Sequence, residues 1–262
     1  MRMNPLAAAL VIGASLLTVA QQNGTVHSNV SRALDGMNSA KWADREKAFS
    51  EMPTLADVQA QNPADADRLK VGLIRLLNVE NMEVQKAKQT GTKFTTDAHS
   101  EYYGNLIGVV ASMNDERAIP SLLGAITTGG MATRSIAGFG DKALDAVLKK
   151  LQDPEPLVRT SVLFTIRYML KMKSVADPGS QVRIRNAIRS SLEDADFGVR
   201  DAAISAIEYV EDREQFVPAL EKLAQTDPVK LPGTPDDGGD GGQFYPVRQD
   251  ARRLLRKIAH HE

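Results

Sequence analysis

The sequence predicts an all-α fold, an α-α superhelix in which helix pairs stack one on another. Three observations predict it: a self-similar segment recurring at a fixed offset, apolar residues at helical spacing inside each copy, and a composition suited to close helix packing. Aromatic residues are only 5% of the 262-residue chain while Ala, Leu, Ile and Val are plentiful, a balance that favours helix-on-helix contacts over sheets.

The repeat is read by laying the chain on itself. Leu151, Asp153, Val158, Arg159, Val162 and Ile166 coincide with Leu192, Asp194, Val199, Arg200, Ala203 and Ile207, an offset of 41 residues. Val247, Arg248, Ala251 and Leu255 form a third copy 48 residues further on, and the longer step is accounted for by a Gly/Asp-rich insertion. Within the copies Val158, Val162, Ile166 and Leu170 recur every four residues, as do Val199, Ala203 and Ile207. Each such helix (B) follows another amphipathic stretch (A), at 143–151, 184–192 and 216–223. Asp153-Pro154 and Asp194 mark the joins, Asp as the expected cap of the next helix and Pro as the end of the previous one. A lone pair cannot bury its apolar face, whereas stacked pairs can, with A helices on the convex side and B helices on the concave side.

These residues resemble the HEAT repeat family, including the armadillo-like HEAT-like repeats of the PBS-lyase type. The resemblance rests on the turn Asp followed six residues later by Arg, at Asp153/Arg159 and Asp194/Arg200, with Arg248 as a looser instance. Arg117 to Leu123 and Phe216 to Leu220, each with an early Pro, look like A helices of that family. The resemblance covers residues 115–259 well, weakens upstream and is nearly silent on function. It implies a structural role for Arg159, Arg200 and Arg248, satisfying turn carbonyls and the Asp of their own or a neighbouring repeat. The other reading of the same ladder is an anion-binding row.

In chain order, residues 1–20 read as a signal peptide: Arg2, then an uncharged run from Leu6 to Ala20, with cleavage between Ala20 and Gln21. About 15 apolar residues are short of the roughly 20 that span a membrane, so no stable insertion is expected after cleavage. An uncleaved anchor is the alternative. Residues 21–52 read as a degenerate capping repeat containing Trp42, the sole tryptophan, and 53–262 as the array, five to six pairs in all. Two loops are expected near 86–98 and 228–242, both between an A and a B helix and therefore on one edge.

Composition excludes several chemistries. There is no cysteine, hence no disulfide, thiol catalysis or Cys-ligated metal. The net charge of −1 supplies no global attraction for nucleic acid. Asp236, Asp237 and Asp240 form a weak Ca²⁺ candidate, but Val247 stands where an EF-hand loop needs its Glu. His260 and His261 sit at a fraying end, and no nucleophile, phosphate-loop or dinucleotide motif occurs. No cofactor and no catalytic set are expected. Tyr102, Tyr103, Phe164, Tyr168 and Tyr209 lie on or beside B helices, where some are expected to reach the groove. Phe164, Arg167, Ser205, Glu208, Arg253 and Arg256 are its candidate lining. The expected function is an exported, periplasmic or secreted, non-catalytic scaffold engaging a protein or peptide through the concave groove and the loop edge. The alternatives are a membrane-tethered assembly subunit or, by family analogy, a lyase- or glycosylase-type enzyme.

Overall fold

The computed structural model describes residues 24–91, 97–128, 130–232 and 243–260. The fold is all-α and HEAT-like. Among the described residues the only sheet is a two-residue antiparallel hairpin. The chain divides into two compact units, Met1–Ser121 and Leu122–Glu262, where the sequence suggests one array over 53–262.

In the first unit, residues 24–37 are helical (α1), followed by α2 (Trp42–Ser50), α3 (Leu55–Gln61), α4 (Pro63–Thr90) and α5 (Asp97–Ser112). Asn62 caps α4 through the amides of Ala64 and Asp65, Pro63 occupies its first turn, and Gly91 ends it at φ 63°. At 28 residues α4 is far longer than an A helix of the 41-residue period, which is why the repeat fades here. Residues 86–90 are its last turns. The expected loop near 86–98 therefore begins only at Gly91, and polar composition had disguised an exposed helix end. Two close approaches lock α1 in place. A Cβ on Gly72 would lie 2.5 Å from Leu34 Cδ2, and one on Gly36 would lie 2.6 Å from Ala48 Cβ, so α1 packs tightly on α4 and α2.

The boundary between the units falls within α6 (Ile119–Gly124). Beyond it come α7 (Gly130–Gly138), α8 (Asp141–Lys149), α9 (Pro156–Met172), α10 (Pro178–Ser191), α11 (Phe197–Ile207), α12 (Val217–Thr226) and α13 (Pro246–Ala259). Prolines in the first turns of α9, α10, α12 and α13 are placed where the missing amide costs nothing. B helices pack on B helices, α7 on α9, α9 on α11 and α11 on α13, while α8 packs on α10. The residues of the sequence register form this core: Val162, Ile166, Val199, Ala203, Ile207, Val247 and Ala251 are fully buried. Each large aliphatic side chain among them contributes roughly 1.5–3 kcal/mol of burial. Ala202, Ala203 and Ala206 make α11 thin enough for α9 and α13 to approach from both sides.

The insertion before α13 is closed at its base by β1 (Leu231–Pro232) and β2 (Gln243–Phe244), with Leu231 opposite Phe244. Residues 233–242, including Asp236, Asp237 and Asp240, lie outside the described residues, as do Ala20, Gln21 and the rest of the leader.

Candidate functional site

Two rows of side chains cross the second unit. The first is the Arg/Asp ladder. Arg159 donates through Nη1 to the carbonyls of Asp153 (2.9 Å) and Pro154 (3.1 Å), and through Nε and Nη2 to both carboxylate oxygens of Asp194 (2.9 and 2.8 Å). Arg200 repeats the pattern one copy later, to the carbonyls of Asp194 (2.7 Å) and Ala195 (3.0 Å) and to Asp227 Oδ2 (2.7 Å). Arg248 donates to the carbonyl of Asp227 across the closed insertion (2.6 Å). Arg159 and Arg200 thus each brace their own turn and take the carboxylate of the next repeat, a fit for the planar donor fork of Arg, while Arg248 braces its turn alone.

The turn Asp is not the helix cap. Asp196 caps α11 through the amides of Gly198 and Val199, and α9 starts at Glu155 without a side-chain cap. Asp153, Asp194 and Asp227 instead accept from the amide two residues on, at 2.9–3.1 Å, which shapes the turn and leaves the second oxygen for a cation. The Arg159 hydrogen bond holds the Asp194 carboxyl below its usual range, burial opposing. For Asp153 burial pushes upward, but the Glu155 amide and Lys150 outweigh it and the net shift is downward. Lys150 Nζ, 3.0 Å from Asp153, stands where no preceding Arg is present.

The second row lies on the exposed side of the B helices. Phe164 is 37% exposed, and Arg167, Ser205 and Glu208 are half-buried, while Arg253 and Arg256 are exposed. Tyr168 and Tyr209, 41 residues apart, each carry cations on their rings. Arg134 of α7 stands 5.4 Å from the Tyr168 centroid, and Arg167 and Lys171 of α9 stand 5.5 and 5.8 Å from that of Tyr209. Glu208 pairs with Lys257, and Arg253 with Asp250 (2.9 Å). Lys171 follows from the same helical spacing as Phe164 and Arg167, whereas Arg134 and Lys257 lie outside the candidate lining. The 41-residue recurrence of Tyr was the available signal. Tyr102 and Tyr103, by contrast, are buried at 3% and 4% and belong to the core of the first unit.

Beside Tyr209, the ends of α9 and α11 enclose a cleft of about 630 Å³ with Leu170, Val175 and Val210 as its apolar lining and Lys173, Arg185, Glu211 and Asp212 as its charged lining, Arg185 lying 3.7 Å from Asp212. Lys173 adopts φ 52° as it ends α9 and turns the chain toward α10.

Residues 175–207, which hold α10, the Asp194 turn and α11, match the family described as HEAT repeat associated with sister chromatid cohesion. The match marks one HEAT repeat within the second unit, where the sequence register and the Arg/Asp ladder also lie. No curated protein matches it. Among solved structures, the crystal structure of an engineered protein shares 16% identity at a TM-score of 0.37, covering 88% of this chain and 96% of that one.

Outside the matched HEAT repeat, the first unit contains a polar cluster that the sequence reading missed. Glu80 of α4, 2% exposed, accepts from Arg45 Nη1 (2.8 Å) and sits 2.7 Å from His99 Nε2. Trp42 packs on His99 (4.3 Å between ring centroids) and edge-on to Tyr102 (5.2 Å). Burial and the Glu80 charge push the Tyr102 phenol up to about 12, Arg45 opposing. Tyr103, at the register position of the ladder Arg, donates to Asn81 (2.5 Å), whose amide reaches the Ser121 carbonyl (2.8 Å). No spacing rule connects these residues, so periodicity could not reveal them. Among the described residues no group of three His, Cys, Asp or Glu is placed to hold a metal, and no helix is long and apolar enough to cross a membrane.

Proposed function

We propose that this HEAT-repeat chain is an exported, non-catalytic scaffold that binds a protein or peptide segment along the exposed side of α7, α9, α11 and α13 and the edge bearing the 228–242 insertion. The observation that carries the reading is the half-exposed Phe164 set among ring-stacked cations. An aromatic anchor beside fixed polar groups is the composition of an interface centre. The ladder, with its acceptors and donors matched internally, serves the fold and leaves this second row for the partner. The export reading rests on Arg2 and the Leu6–Ala20 run.

A photo-crosslinking residue placed at Phe164, and in a separate variant at the more exposed Val182 of α10, tests the face. Crosslinks to one defined partner from Phe164 and none from Val182 are expected. Equal labelling from both positions would sink the reading. Deleting residues 233–242 should weaken the Phe164 crosslink if the edge contributes, and N-terminal sequencing of the secreted protein should begin at Gln21.

A further inference from the structure

We infer that the partner segment is acidic, with its carboxylates held by the ring-stacked row of Arg134, Arg167 and Lys171 and one aliphatic side chain anchored in the cleft beside Tyr209. The inference rests on the binding-face reading above and narrows it to one chemistry.

Charge is the first argument. The chain balances 32 Lys and Arg against 33 Asp and Glu, yet α7 and α9 contain no acidic residue at all. Their four cations are Arg134, Arg159, Arg167 and Lys171, and only Arg159 is neutralised, by Asp194. Among the described residues the other three make ring contacts and no ion pair. This contrasts with Arg117, Arg183 and Arg253, which are more than 45% exposed and still paired with carboxylates. A cation held over a tyrosine face spends no carboxylate of this chain, and a guanidinium so held can receive an incoming carboxylate through two parallel hydrogen bonds.

The cleft supplies the second argument. Tyr209 belongs both to the row and to the cleft wall, so a segment lying on Arg167 and Lys171 arrives directly at a cavity of about 630 Å³ lined by Leu170, Val175 and Val210. That volume takes a leucine- or isoleucine-sized side chain with room to spare; Lys173 and Arg185 are balanced there by Glu211 and Asp212, so the cleft supplies the apolar anchor and the row supplies the charge. A nucleic-acid backbone fits poorly: Glu211 and Asp212 of the cleft would oppose an unbroken line of phosphates, and the apolar lining would have no counterpart. A peptide can space its carboxylates to avoid them.

The test uses the full chain and a fluorescein-labelled 14-residue peptide of alternating Glu and Leu, read by anisotropy. A Gln/Leu peptide of the same length and a 20-nucleotide oligothymidine are compared with it. The Glu/Leu peptide should bind at least tenfold tighter than either comparator. Arg134→Gln and Arg167→Gln should each weaken it several-fold, and together at least tenfold, with unchanged thermal unfolding. Arg183→Gln, on the exposed side of α10, should leave binding unaltered. Equal binding of the Gln/Leu peptide, tighter binding of the oligonucleotide, or equal loss in Arg183→Gln each overturns the inference. If the Glu/Leu peptide fails while the Phe164 crosslink persists, the acidic chemistry is wrong and the binding face stands. If both fail, the face itself is wrong.

Discussion

Arg200 and Asp227 are joined at 2.7 Å with their side chains 8% and 1% exposed, the most deeply buried ion pair on the ladder. Arg159 and Asp194, the same pair one repeat earlier, remain 15% and 17% exposed. The pairs share a geometry and differ in solvent, which sets the cost of breaking them.

Arg200→Ala strands the Asp227 carboxylate away from water and should cost about 3 kcal/mol, as loss of one partner of a buried pair does. Arg159→Ala, where water can reach Asp194, should cost about 1–2 kcal/mol. Urea unfolding followed by hydrogen exchange in α11–α13 measures both. An equal cost for the two variants would contradict the burial argument.

Acidity should matter most between α11 and α13. Burial first, then the hydrogen bond and charge of Asp250, push the Asp201 carboxyl up to about 7, Arg253 opposing. Because the folded value lies above the ordinary 3.8, the folded state holds the proton more tightly, and the stabilisation it confers is lost as pH rises through about 7. Amide exchange in α11 and α13 should therefore quicken from pH 6 to pH 8 beyond its intrinsic pH dependence. Asp201→Asn should flatten that excess.

Gly140 precedes α8 at φ 56°, and a Cβ there would fall 1.9 Å from the Ser174 carbonyl oxygen. Ser174 in turn donates through Oγ to the Ala137 carbonyl (2.6 Å), so the turns after α7 and α9 are in direct contact. Gly140→Ala should destabilise the second unit by roughly 2–4 kcal/mol, from backbone strain plus the displaced turn. A lowered urea midpoint with unchanged helicity at zero denaturant is the expected result.

In the first unit Glu80 depends on Arg45 and His99. Arg45→Ala should cost about 3 kcal/mol, and adding Glu80→Leu should restore part of it by removing the stranded carboxylate. Trp42, the sole tryptophan, lies within this cluster, so its fluorescence follows the first unit alone. A double variant less stable than Arg45→Ala would show that Glu80 contributes more than its ion pair.

The second unit was legible because one 41-residue period carries both the core and the ladder: the spacing that aligns Ile166 with Ile207 also aligns Arg159 with Arg200. The kind of partner followed from the resemblance, but which repeat supplies the carboxylate did not: for Arg159 and Arg200 the Asp six residues before gives a carbonyl and the carboxylate comes from the next repeat. The first unit resisted reading for a different reason. Its joints are single events, such as Gly72 against Leu34 and Tyr103 on Asn81, and a single event leaves no second copy to compare. Lys86 to Thr90 shows a related failure, since exposed polar residues read alike in a loop and in the last turns of a long helix. On the candidate face, Phe164 and Arg167 were found from helical spacing. Arg134 was missed because the α6/α7 pair is too short to share the register.

The ladder also gives the second unit a direction. Arg159 and Arg200 each give their carboxylate bonds forward, to the Asp of the following turn, so the carboxylate pairs run one way along the array, and at Asp153, which no preceding Arg reaches, Lys150 stands in. The interchangeable module therefore runs from just after one ladder Arg through the next. Excising residues 160–200 would leave Arg159 followed by Asp201 and facing Asp227, so that Arg159 takes over the carboxylate bond of Arg200 while Arg248 and Lys150 keep theirs. A cut one residue longer or shorter would rotate α11 by about 100° and turn its apolar stripe out of the stack. A chain built this way can change length over generations in whole modules while its internal joints stay the same.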